Sequence, residues 1–229
     1  MAVEETIAAL KAQVAELTHR IGVVEDIQAI RTLHFKYGYY MDKWLFPEIV
    51  ELFAEDGEFH FLNGIFRGKR GVRRFFGDGL GIDGPTYGVL TDHLQVQDIV
   101  DIAPDRNTAR GRFRCFLAAG VHESRTEPTP IPSQFWEGGV YENSYVKENG
   151  IWKIQVLNYN LSWQAEYEKG WARSEKKLLM VSLYTKTYPE DPRGPDALKL
   201  YPAKHWPDAT MVPFHYPHPV TGKKGRHTE

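Results

Sequence analysis

The 229-residue chain has one cysteine, Cys115, so no internal disulfide can form. That scarcity fits a reducing, cytoplasmic setting. Charge of one sign is also lacking: 28 Lys and Arg stand against 30 Asp and Glu, a net charge of −2. Such a balance gives no pull toward nucleic acid or an anionic membrane, and neither is expected as a partner. No apolar run approaches the roughly 18 residues of a membrane span. The first residues, Met1-Ala2-Val3-Glu4-Glu5, lack the basic start and apolar stretch of a signal peptide. Gly77, Gly79, Gly81 and Gly84 do not form the strand-then-helix glycine pattern of a phosphate cradle. Their segment reads as a plain loop or as a flap over a pocket. The histidines make no HExxH pattern, and neither metal nor cofactor is expected. Internal repeats are missing.

What is present is an ordinary globular composition, 42% hydrophobic and 25% charged, with 12 Tyr, 12 Phe and 6 Trp. One domain with appendages is expected. Ile7, Leu10, Val14, Leu17, Ile21 and Val24 follow a 3-4 spacing, a heptad seam. The helix carrying it runs from about Val3 to Met41, with a break allowed near Gly22. Residues 1–23 read as an arm packed on its own domain or on a neighbouring subunit. A second helix covers Phe46 to Phe53 and is broken by Glu55-Asp56-Gly57. Strands follow at Glu58–Leu62 and Ile65–Gly68, around the Asn63-Gly64 turn, then a helix at Lys69–Phe76. Longer strands are expected at Gly88–Asp101, Ala109–Val121, Gly139–Glu148 and Ile151–Leu161. The last should put Trp152, Ile154, Val156, Asn158 and Asn160 on one face. Between them lies the rigid Pro128-Thr129-Pro130-Ile131-Pro132 loop. Gln164 to Leu179 reads as a helical extension. From Tyr188 the chain is rich in proline yet holds Tyr201, Trp206, Phe214 and Tyr216, so residues 164–229 should wrap over the domain or its neighbour.

The chemistry centres on Tyr37-Gly38-Tyr39-Tyr40-Met41-Asp42 and on His93. Asp42 sits at a helix junction among rings, Trp44 included. It is either a cap for the second helix or an acid in a pocket. His93 is either a core histidine or a base, since His exchanges protons near neutral pH. An Asp behind it would fix its tautomer.

The order of elements and these residues resemble the SnoaL-like branch of the nuclear-transport-factor-2-like superfamily. The resemblance rests on Tyr37 through Phe53, Gly68–Phe76, Thr91-Asp92-His93 and Ile151-Trp152-Lys153-Ile154, and covers roughly Val24 to Trp163. It implies an α+β fold: a curved antiparallel sheet and helices enclosing a conical apolar pocket in residues 24–163. Lyases of this fold, among them scytalone dehydratase, bile-acid dehydratase and hexachlorocyclohexane dehydrochlorinase, use an Asp at the end of the long helix and a His on a central strand. Asp42 and His93 fall at the matching positions. Tyr37 and Asn160 resemble hydrogen-bond donors of the dehydratases. The Arg that two of these enzymes carry near the last strand has no counterpart in Trp152–Trp163.

His34, Tyr40, Trp44, Phe59, His60, Phe116, His122, Trp136 and Asn158 are candidate substrate contacts. His60 points either into the cone or out of it, and a share of the aromatics is simply core. The long arm and aromatic tail resemble the bacterial lyases that remove formaldehyde from lignin-derived diarylpropane diols. That resemblance implies a cofactor-free lyase of an aromatic alcohol. A dehydratase of a hydroxylated steroid or polyketide-like ring is the neighbouring reading, and a binding module for an apolar ligand the non-enzymatic one. Homo-oligomers are expected, a trimer by the dehydratase resemblance or else a dimer.

Overall fold

The computed structural model describes residues 2–79, 84–129, 131–175, 178–180, 182–200, 204–225 and 228. The periodic stretch at the start forms a single helix, α1, Ala2–Asp42. Gly22 does not break it. A Cβ at Gly22 would stand 2.0 Å from Nη1 of Arg106, which crosses the helix to reach Asp26. Glycine there is a gap for a guanidinium. Asp26 gathers Arg106 Nε at 2.7 Å, Lys147 Nζ at 2.6 Å and Trp152 Nε1 at 2.9 Å. Burial pushes its carboxyl up, but these three donors outweigh that and hold it at about 2. They tie α1 to the turn at Arg106 and to the later segments that carry Lys147 and Trp152.

After α1 come α2 (Phe46–Glu51), β1 (Phe53–Phe61), β2 (Gly64–Arg67), α3 (Gly68–Gly79), β3 (Val89–Ile102), β4 (Thr108–Val121), β5 (Gln134–Glu148), β6 (Ile151–Glu166) and β7 (Ala197–Leu198). The sheet order is β3-β4-β5-β6-β1-β2-β7. All neighbours are antiparallel except β1 and β6. This is the expected α+β cone. Its core joins Ile30, Ile49, Phe53, Phe66, Phe76, Phe113, Ile154 and Leu157, all fully buried.

Several expectations are corrected. α2 stops at Glu51, and Phe53 opens β1. Glu55-Asp56-Gly57 lies inside β1 as an irregularity, where the register to β6 shifts between Phe53 and Glu58. Gln164–Glu166 continue β6 and do not start a helix, and residues 167–172 form turns. The reason is non-local: Phe135, Trp136 and Glu137 pair with Glu166, Ala165 and Gln164. A ladder partner outweighs local helix propensity. Of the glycine-rich segment, Gly77 and Gly79 belong to α3, while residues 80–83 lie outside the described residues, as do Lys176, Lys177 and Tyr201.

The tail wraps over its own domain. Asn63 and Tyr184 exchange two hydrogen bonds of 2.9 Å. Asp196 accepts the Arg67 N–H at 2.8 Å and pairs with Arg74 at 2.6 Å. β7 extends the sheet beside β2. Arg112 donates to the carbonyls of Val212 and Pro213 and lies over the ring of Phe214. His215 sits against Glu142 and Asp101.

Asp26→Asn should lower stability by about 3 kcal/mol at pH 6, because it leaves Arg106 and Lys147 without their acceptor. The folded Asp26 carboxyl lies below its ordinary value of 3.8. Its stabilisation is therefore complete above that value and lost as pH falls through about 2. Urea unfolding at pH 6 and pH 2.5 should show the gap between wild type and variant closing toward the acid end.

Candidate active site

α1 lies along β3, an edge of the sheet, and its facing residues are polar. Arg31 Nε meets Asp98 Oδ2 at 2.6 Å, His34 Nε2 meets Gln95 Oε1 at 3.0 Å, and Asp42 meets His93. Gly38 lies between them. A Cβ there would stand 2.7 Å from Gln95 Cγ and 3.2 Å from the His93 carbonyl oxygen. Only a glycine lets the helix come this close.

Asp42 Oδ1 accepts two hydrogen bonds from one residue: the His93 backbone N–H at 2.7 Å and ring Nδ1 at 2.9 Å. A carboxylate oxygen only accepts, so Nδ1 carries the hydrogen and Nε2 is left with its lone pair. Both side chains are nearly buried, Asp42 at 12% and His93 at 13% exposure. Asp42 does not cap α2, whose N-cap residue is Leu45 and lacks a side-chain cap. Trp44 ends the approach with φ +57°. Its Nε1 donates to Thr91 Oγ1, which donates to the Asp42 carbonyl, both at 3.2 Å.

His93 lines an apolar cavity of about 40 Å³ with Met41, Trp44, Thr91, Leu117, Ala119, Ile131, Phe135 and Met180. A second, open recess of about 240 Å³ touches the dyad from the other side, between Phe35, Tyr39 and β3. Along the concave face His93 pairs with Leu117, Leu117 with Glu137, and Glu137 with Gln164. Glu137 is buried and accepts from Tyr159 Oη at 2.7 Å and Gln164 Nε2 at 2.5 Å. Burial raises its carboxyl above the ordinary range despite those donors and the pull of His93. Tyr37, Tyr141 and Tyr159 complete the polar interior. Burial pushes all three phenols up, and the Tyr37 and Tyr141 hydroxyls are hydrogen-bonded. Burial likewise pushes the Cys115 thiol up to about 12. The arrangement places the His93 imidazole on an apolar cavity and a buried acid, Glu137, in the same row of the sheet, one strand beyond Leu117.

The other candidates fall elsewhere. Asn160 turns away from the dyad: its amide donates to the Val140 and Asn158 carbonyls, and it lines a recess with Lys204 and residues 209–213. Asn158 accepts from Lys199 Nζ at 3.1 Å, under the tail. The cause is a register shift opposite Ser144 and Tyr145. It buries Trp152 and Ile154, then Leu157, Tyr159 and Leu161, so the expected single face does not exist. Phe116 and Trp136 pack against each other, tilted, on the outer face, one residue out of phase with Leu117 and Glu137. His122 bonds Ser124 and lines an outer groove. His60 points outward to Glu58 at 2.7 Å. Phe59 is enclosed by Phe61, Phe66, Phe75 and Phe76. Tyr40 packs against the core without lining the cavity. His34 is fully buried, stacked on Phe113 at 3.8 Å, and burial lowers it to about 3. Trp44 does reach the cavity. Among the described residues no group of three His, Cys, Asp or Glu is placed to hold a metal ion.

Sequence reasoning missed Glu137, Gln164 and Met180. The signal for Glu137 was its phase: Phe135, Glu137 and Tyr141 share one face of β5.

Residues 22–158 match the model of the SnoaL-like domain. The chain belongs to that family. None of the curated proteins matches it in sequence. Among solved structures, LinA is 13% identical with a TM-score of 0.52, over 65% of this chain and 93% of its own. A hexachlorocyclohexane dehydrochlorinase, LinA type 2, is 17% identical with a TM-score of 0.49, over 65% of this chain and 91% of its own. A scytalone dehydratase-like protein of Novosphingobium aromaticivorans is 20% identical with a TM-score of 0.47, over 63% of this chain and 89% of its own. At such identities the likeness is one of fold.

Glu137→Gln tests the buried acid. Its folded pKa lies above the ordinary value of 4.5. The folded state therefore favours the protonated form, and wild type loses stability as pH rises from that value toward the folded one. The melting temperature of the variant relative to wild type should climb between pH 4 and pH 8. A flat difference would mean that Glu137 ionises freely.

Proposed function

We propose that this SnoaL-like chain is a cofactor-independent lyase of an aromatic alcohol, with His93 as general base and Asp42 as its orienting partner. The observation that carries this reading is the double acceptance by Asp42 Oδ1, which leaves His93 Nε2 as the ring nitrogen available beside an apolar cavity. A base so held has one tautomer and one orientation, as proton abstraction requires.

The substrate class we favour is a lignin-derived diarylpropane diol that gives a stilbene, formaldehyde and water. The benzylic hydroxyl leaves as water, assisted by the para-phenol, which loses its proton as a quinone methide forms. His93 Nε2 then takes the proton of the terminal hydroxyl. The carbon–carbon bond breaks, formaldehyde departs, and the electron pair restores the phenol ring as the stilbene double bond forms. Glu137, whose carboxyl burial raises above the ordinary range, is suited to protonate the leaving hydroxyl. It takes the donor part expected of Asn160, while Tyr37 stays a candidate donor from the cone interior. A simple dehydratase would use the same acid and base without the final carbon–carbon step.

The cavity of about 40 Å³ is smaller than the ~150 Å³ in which a buried apolar cavity takes up one benzene ring. A two-ring substrate therefore enters only if lining side chains withdraw.

The test is turnover of a diarylpropane diol, a phenylcoumaran and a hydroxysteroid thioester, with formaldehyde and new ultraviolet absorbance followed together. Wild type should release formaldehyde with a stilbene chromophore. His93→Ala and Asp42→Asn should each lose on the order of 10²–10⁴-fold in kcat. Absorbance without formaldehyde would assign a dehydratase. No turnover on all three, with an apolar ligand still bound, would assign a binding module.

A further inference from the structure

The first 24 residues of α1 carry more apolar surface into solvent than any other element. Val3, Ile7, Leu10, Val14, Leu17, Ile21 and Val24 are between 47 and 72% exposed. Every residue from 3 to 21 is exposed. The domain takes hold of the helix only from Gly22, through Arg106 and Asp26, on the side away from that row. An arm of about 33 Å therefore stands clear of its own domain. A lone helix of that length is marginal in water, and a continuous apolar stripe on it calls for a partner.

The stripe itself specifies the partner. In heptad terms Ile7, Val14 and Ile21 take the a positions, and Val3, Leu10, Leu17 and Val24 the d positions. All a residues are β-branched and the central d residues are Leu, the combination that favours two parallel strands. The flanking charges agree on direction. In a parallel pair Arg20 at g faces Glu25 at e of the other strand, twice by symmetry. In an antiparallel pair that contact is lost and Glu4 meets Glu25. The seam ends where it should: the next a and d residues are Gln28 and Arg31, and Arg31 is bound to Asp98 within its own domain at 2.6 Å. On the polar side Glu4, Glu5, Glu16 and Glu25 outnumber Lys11 and Arg20, which disfavours an anionic bilayer as occupant.

We propose that residues 3–24 pair with the same residues of a second copy as a parallel, in-register two-stranded coiled coil. The pairing is isologous and closes on itself. It sets two catalytic domains side by side at one end of the coil.

The experiment is light scattering of the full chain and of Leu10→Glu/Leu17→Glu, joined to oxidative cross-linking of Ile7→Cys. The double variant should have half the wild-type mass, with the same near-ultraviolet circular dichroism and reduced helical signal. Both substitutions lie on the exposed arm, so the core stays folded. Ile7→Cys should form a covalent dimer, because an a residue meets its own copy only in a parallel, in-register pair; antiparallel pairing would set it opposite Val24, roughly 25 Å from its copy. Cys115 is buried and does not compete. Arg20→Glu should weaken the dimer several-fold, and Arg20→Glu/Glu25→Arg should restore it. A monomeric wild type would overturn the proposal. So would an unchanged mass in the double variant, which would move association to the exposed sheet face at Leu90, Leu94 and Val96. A fall to one third of the mass would replace two strands by three, and an absent cross-link would reject the parallel register.

Discussion

A single carboxylate oxygen joins the end of the long helix to the sheet at His93. β3 is the edge strand, so the His93 N–H that points away from β4 has no ladder partner. Asp42 Oδ1 satisfies that edge donor and, in the same position, takes the ring Nδ1–H. An unpaired edge N–H is costly when buried, and an open edge invites association. The dyad is therefore also the closure of the sheet edge. Its geometry is held by the fold's need for backbone satisfaction, and the imidazole inherits that rigidity. Gly38 makes the approach possible, and the Trp44–Thr91–Asp42 chain fixes where the helix stops.

The seam below the dyad follows the same logic. Arg31, His34, Gly38 and Asp42 recur at helical spacing and meet Asp98, Gln95 and His93 in turn. Where α1 runs along the edge strand it meets polar groups and presents polar partners, while Ile30 and Tyr37 are buried in the core. His34 is the clearest case. Held neutral by burial at about 3, it accepts or donates within a network of Gln95, Asn143 and Tyr145 and takes no part in proton exchange near neutral pH.

Those helical residues were legible because a helix keeps one period over its whole length. Asp42 could be located at a helix end, and Trp44 beside it, from spacing alone. The strands were less legible for two reasons. Both faces of β4 and β5 carry rings, so alternation does not say which face is inward: Phe116 and Trp136 look as suitable as Leu117 and Glu137 and differ from them by one residue. Register shifts then invert the phase partway along, as at Ser144 and Tyr145, which turned Asn158 and Asn160 outward. The continuation of β6 past Leu161 is a third case. Its pairing partners, Phe135 to Glu137, lie almost thirty residues upstream, and no local pattern in Gln164–Leu179 carries them.

The cone also links its cavity lining to its buried acid. Gln164 donates to Glu137 through Nε2 and accepts the Leu179 N–H through Oε1 at 2.8 Å. Leu179 precedes Met180, which lines the cavity beside His93. A withdrawal of Met180 wide enough to pass an aromatic ring strains or breaks the Leu179 bond and releases Gln164. It also admits water to a carboxyl whose raised pKa depends first on burial. With water present, the upward push of burial on that carboxyl weakens. A residue that lines the cavity beside His93 is thus linked, through Gln164, to the group whose burial raises its carboxyl above the ordinary range.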